Sequence, residues 1–202
     1  GIAGMLVPEE HGGLGMTLLD ATIVAEQLGY AVAPVPFLAS HVLAPIALRE
    51  AGSEAQKAYW LPKIATGQAH ISVAISETIA ARDGAAVSSA EGRLNGTALF
   101  SLDFEGADAY IVADAGGRLH LVGAGASGLE PIPLTTIDRT RSVGELRFDG
   151  AKAEPLAERR VAEVELLDER LVDDRHFRRA KGVGARELAA HPQRNAHGLE
   201  VA

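Results

Sequence analysis

Between Leu61 and Asp83 the apolar residues of this chain change their period. Before that stretch they recur at helical spacing. From Ile71 onward they alternate, and turn residues return about every eight to ten positions. A chain with this switch reads as a helical part followed by a β part. Within LPKIATGQAHISVAISETIAARD, a Leu-Pro break leads into one short helical turn, which Gly67 ends. An apolar strand then runs into Ser76-Glu77. The stretch reads as the hinge between the two parts and as one wall of a ligand site.

On the helical side, Thr17-Leu18-Leu19-Asp20 has the form of a capping box. Leu18, Leu19, Ile23, Ala25 and Leu28 then follow at helical intervals, so a helix is expected over 18–29, with Gly29 as the stop. A second helix is expected over about 37–51, bent or split by Pro45. Ser53-Glu54-Ala55-Gln56 opens a third, which Leu61-Pro62 is expected to break. Gly12, Gly13 and Gly15 do not match G-x-G-x-x-G, and they read as a turn that needs positive φ rather than a phosphate cradle. Trp60 reads as a core anchor.

On the β side, Ile71, Val73 and Ile75 alternate with Ser72, Ala74 and Ser76, which predicts a half-buried strand. Glu91-Gly92 marks a hairpin between 87–90 and 93–99. Gly116-Gly117 turns between 109–113 and 119–122. Leu129–Leu134, with two prolines, reads as an edge strand, and Val143–Phe148 as the last strand. The fold class is α+β: an N-terminal helical segment, a small antiparallel β-barrel, and a charged tail without clear periodicity. The expected divisions are 1–69, 70–156 and 157–202.

Composition narrows the function. A net charge of −8 argues against a nucleic-acid surface. No run of apolar residues reaches the length of a membrane span. The absence of cysteine excludes disulfides and thiolate metal sites, and fits a reducing cytoplasm. His11 reads as a loop residue and His70 as structural. His176, His191 and His197 lack ligand spacing, so no metal site is expected. Asp138-Arg139-Thr140-Arg141 reads as a surface turn, with a contact to substrate phosphate as the alternative. Glu163, Glu165 and Asp168 read as a solvated helix face. The opening Gly1-Ile2-Ala3 is not a signal peptide and reads as entry partway into a longer protein.

Several phrases carry a resemblance. LVPEEHGGLGM (6–16), AEQLGYAVAPVPFLAS (25–40), LPKIATGQAHISVAISE (61–77) and LNGTALFSLDFEGADAYIVAD (94–114) occur in this order. Over about residues 1–156 the chain resembles the acyl-CoA dehydrogenase family. The resemblance implies an N-terminal helical domain and a middle β-barrel. The family's C-terminal four-helix bundle has no counterpart in the wording of the tail, for which a truncated or frame-altered product is one explanation. It further implies an oxidoreductase that uses FAD to desaturate an acyl-CoA thioester between its α and β carbons, in an oligomer of like or unlike chains.

By this comparison the flavin-facing segments are Val73, Ile75 and Ser76 at one strand end, and Phe100, Ser101 and Leu102 at another. Ser76 stands where the family usually has Thr. Phe100-Ser101-Leu102 stands in place of Trp-Ile-Thr, keeping the aromatic but losing the last hydroxyl. Arg82 replaces a serine that meets pyrophosphate or substrate, and is the candidate substrate-binding residue. No catalytic residue is placed, because the family's carboxylate belongs to the bundle. The implied function is a portion of a dehydrogenase that is incomplete alone. The alternative is a flavin-free scaffold subunit of the same fold.

Overall fold

The computed structural model describes residues 1–75, 86–138 and 140–160, the last four as backbone. These fall within one unit, Gly1–Leu166. Ser76, Glu77, Arg82, Arg139, the helix expected within 160–180, and His176, His191 and His197 lie outside the described residues.

Two 3-10 turns, Ile2–Gly4 and Glu9–His11, precede helix α1, Leu18–Tyr30. The capping box forms as expected, with Thr17 Oγ1 accepting from the Asp20 N–H and the Asp20 carboxylate accepting from the Thr17 N–H. Gly12 and Gly15 take positive φ, as a turn requires. The stop falls later than Gly29, because the left-handed position is taken by Val32 instead. Pro45 splits the second helix: a π-helical segment, Leu38–Leu43, runs into α2, Ala44–Ala51.

Pro62 does not break α3, which spans Glu54–Ala65 behind a second capping box, Ser53 with Gln56. A proline inside a helix removes one backbone hydrogen bond, at a cost of about 3 kcal/mol. Here Leu61 and Ile64, on either side of it, have no exposed surface and hold both halves against the core.

The strands are β1 (Ile71–Ala74), β2 (Val87–Ala90), β3 (Arg93–Leu102), β4 (Ala109–Ala113), β5 (Arg118–Gly123), β6 (Leu129–Pro133), β7 (Val143–Lys152) and β8 (Glu154–Arg160). They form one sheet in the order β6-β7-β3-β1-β4-β5-β8, with β2 paired to β3. The expected antiparallel barrel is corrected in two respects. β1 and β4 pair in parallel, Ile71 opposite Ala109 through Ala74 opposite Val112. The sheet is also open, not closed. β6 ends it, as its two prolines suggested: the Leu134 N–H bonds Val143 O on β7, so by alternation Pro131 and Pro133 lie where N–H groups would face outward. An edge without donors cannot take a further strand.

β1 is fully buried, not half-buried, because it lies between β3 and β4 with both faces covered. Successive strand residues face opposite sides. Ile71, Val73, Ala109, Ile111, Leu119 and Leu121 accordingly pack with the helices around Leu48, Leu61 and Ile64. Ala74, Tyr110, Val112 and Val122 pack on the other side with Leu94, Leu146 and Phe148. β1 therefore divides two cores, and its ends are where a site can open. No helix among the described residues is long and apolar enough to cross a membrane.

Candidate functional site

At the carboxyl end of β1 the ladder with β3 is short. It has a single register pair, Val73 opposite Leu102. Just before Leu102, β3 slips against β7: its register shifts between Ala98 and Ser101. A bulge re-aims side chains, and Phe100, 47% exposed as a residue, sits in this one with φ 56. An exposed aromatic with a left-handed backbone at a strand irregularity is a costly arrangement, of the kind that gathers at binding sites.

The other candidates differ in what they can offer. Val73 is buried between Leu102 and Ile111, and Ile75 packs against the helical core. Ser101 is fully buried. Its Oγ lies 2.7 Å from Ser72 Oγ, which donates to Leu102 O at 2.7 Å. The hydroxyl of Ser101 is thus committed inside the sheet. The Leu102 side chain is half-buried against the helical core. The structure brings Val73, Ile75, Phe100, Ser101 and Leu102 to one β1–β3 junction, where Phe100 alone presents an exposed ring.

A separate cavity of about 900 Å³ opens beside the start of β1 and the loop after β3. Pro36, His70, Asp103, Phe104, Tyr110 and Arg141 are among its walls, and none of the flavin-facing candidates lines it. Its polar groups are tied to the hinge. Asp103 Oδ2 accepts from the buried Ala39 N–H at 2.8 Å, and Oδ1 lies 3.7 Å from Arg141 Nη1. Arg141 Nη1 also donates to Val35 O at 2.9 Å. His70 Nε2 and His41 Nδ1 are buried without a partner among the described residues. Only the separate behaviour of His70 and Arg141 was raised by sequence. The roles of His41 and Asp103 depend on elements sixty residues apart, which no local pattern joins. Among the described residues no group of three His, Asp or Glu side chains could hold a metal ion.

His41 supplies a pH prediction. Burial holds its pKa below the ordinary imidazole value, the charge of His70 pushes the same way, and Asp103 opposes both. A depressed folded-state pKa means that the unfolded chain takes up the proton first. The stabilisation is present above about pH 6.5 and is lost as pH falls below it. In urea titrations from pH 8 to pH 5, the wild type should lose stability more steeply than His41→Leu. Parallel slopes would remove His41 as the cause.

The family profile described as "Acyl-CoA dehydrogenase, N-terminal domain" matches residues 1–68. Acyl-CoA dehydrogenase FadE27 of Mycobacterium tuberculosis is 34% identical over 80% of this chain and 43% of its own length. The solved steroid ACAD Tcur3481-Tcur3483 is 30% identical over 78% of this chain and 45% of its own, with a TM-score of 0.67. The ChsE4-ChsE5 complex of Mycobacterium tuberculosis shares the fold, with a TM-score of 0.63 at 22% identity. The chain spans less than half the length of these relatives. With the helices, the β1–β3 junction and the sheet order in place, the chain belongs to the acyl-CoA dehydrogenase family.

Proposed function

We propose that this chain supplies the flavin-facing and acyl-CoA-facing wall of an FAD-dependent acyl-CoA dehydrogenase, and that it is catalytically incomplete without further chain. Phe100 carries the reading: it is an exposed aromatic residue, held in a strained bulge, beside the carboxyl end of β1.

The residues at the junction fit the cofactor in part. A planar ring can stack on Phe100. Val73 and Ile75 would hold the strand end in place behind it. Ser101 would contribute through its backbone, since its hydroxyl is engaged by Ser72. When bound, FAD would supply the acceptor for the hydride leaving the substrate's β-carbon. The chain's own part is to position the two reactants and exclude water from one side. Ser76, Arg82 and the acyl-CoA substrate enter the proposal from the family likeness, as does pairing with a like or unlike chain. The complex of two named chains among the fold neighbours supports such pairing.

Titrating the full chain with FAD tests this. Flavin fluorescence should change saturably, and Phe100→Ala should weaken binding by about tenfold, the worth of one aromatic stack. An FAD signal that stays unchanged in excess protein, alone and with a candidate partner chain, would favour the flavin-free scaffold instead.

A further inference from the structure

At the far end of β3 from Phe100, Arg93 and Lys152 stand opposite each other across the β3–β7 ladder. With Leu121, Gly125, Ser127 and Glu154 they line a cleft of about 460 Å³. The cleft lies where the chain leaves β7 at Lys152 and enters β8 at Glu154, a corner held by the Ala153 N–H on Gly92 O. Above it runs Gly123-Ala124-Gly125-Ala126-Ser127-Gly128, the loop from β5 to β6.

Two accounts of the polar groups agree. Ala126 N–H closes onto Gly123 O, and Leu129 N–H onto Ala126 O. The N–H groups of Gly125 and Ser127 have no acceptor among the described residues. The charges tell the same story. Arg49, Lys57, Arg141 and Arg147 each sit beside a carboxylate. Arg93 and Lys152, like Lys63 and Arg118, have no such partner among the described residues, but only Arg93 and Lys152 share this cleft, in a chain whose net charge is −8. Arg93 Nη1 is held by Gly150 O at 2.6 Å, which steadies the guanidinium and leaves its other N–H groups to a ligand. Glu154 is the one carboxylate in the cleft, and Gln56 Nε2 donates to it at 3.3 Å. The balance is one net positive charge beside free backbone donors, the composition of an anion site.

We propose that this cleft binds a phosphoryl anion, held by Arg93, Lys152 and the N–H groups of Gly125 and Ser127. It stands apart from the β1–β3 junction and does not rest on flavin binding.

Calorimetric titration of the full chain with inorganic phosphate, pyrophosphate and ADP tests it. Saturable binding of one anion per chain is expected, weakened about tenfold by Lys152→Ala and by Arg93→Ala, since charge-assisted bonds are lost. Glu154→Gln should tighten it, by removing a like charge. Lys57→Ala, which removes a cation elsewhere, should leave it unchanged. ADP binding more tightly than phosphate would mark a phosphoester ligand, and equal binding a free anion. Unchanged melting of Lys152→Ala, an exposed residue, separates lost binding from lost fold. The proposal is overturned if none of the three probes binds saturably, or if Lys57→Ala weakens binding as much as Lys152→Ala.

Discussion

Replacing Asp114 with alanine is expected to lower the unfolding free energy by about 3–5 kcal/mol, the range for removing one partner from a buried charged network. Asp114 is 4% exposed, and its carboxylate accepts four hydrogen bonds. Oδ1 takes the N–H groups of Gly116 and Arg118, which shapes the β4–β5 turn. Oδ2 takes Ser89 Oγ at 2.6 Å and meets His120 Nε2 at 3.0 Å. One side chain thus closes a hairpin and pins it to β2. Ser, His and Asp meet here without forming a nucleophilic triad, because the hydroxyl and the imidazole both turn to the same carboxylate oxygen rather than to each other.

The same network sets a pH dependence. Burial raises the Asp114 pKa, but the bonds from Ser89, His120 and the Arg118 N–H, with the charge of His120, outweigh it and leave the carboxyl below its ordinary value. A lowered folded-state pKa gives stability that is present above about pH 4 and is lost as pH falls further. Asp114→Asn keeps the shape and the bonds to Oδ1 but cannot ionise. Its urea midpoint should change less than that of the wild type between pH 5 and pH 2. An Asp114→Ala midpoint at neutral pH equal to the wild type would refute the structural role.

Much of the fold is legible residue by residue. The two capping boxes declare themselves because cap chemistry is local: a hydroxyl and a side chain three positions on complete each other. The hairpin at Glu91-Gly92 and the proline-bearing edge strand are read for the same reason. The parallel pairing of β1 with β4 is not legible, since nothing within Ile71–Ala74 differs from an antiparallel strand. Its full burial follows from neighbours supplied thirty residues later. Pro62 misleads because local propensity says break, while Leu61 and Ile64 gain enough burial to override it.

The site is legible to a lesser degree. Phe100 stands out in sequence only beside the family pattern, yet its geometry singles it out independently. Ser101 shows the limit of matching by type: a hydroxyl in the expected position is turned inward by Ser72, a residue on another strand. Asp103 and His41 carry no motif. They are brought together by the hinge, which is a tertiary feature.

That hinge carries the second large effect. Asp103→Ala is expected to cost about 3–4 kcal/mol, because a buried backbone donor and a cation lose their partner together. Asp103 is 5% exposed and holds the N–H of the wholly buried Ala39, sixty-four positions away, in the π-helical segment. It joins the helical part to the end of β3 at the point where the hydrophobic period of the chain changes. Its φ of 52 adds to the penalty, since aspartate tolerates the left-handed region better than alanine. Asp103→Asn keeps both that tolerance and an oxygen for Ala39, and loses the charge facing Arg141. It should cost about 1 kcal/mol, the worth of a partly exposed ion pair. A double-mutant cycle with Arg141→Ala separates the terms, because only the ion pair should couple the two sites. If Asp103→Asn proves as damaging as Asp103→Ala, the charge and not the bond to Ala39 holds the hinge. If neither shifts the urea midpoint, the two parts of the chain are joined by packing alone.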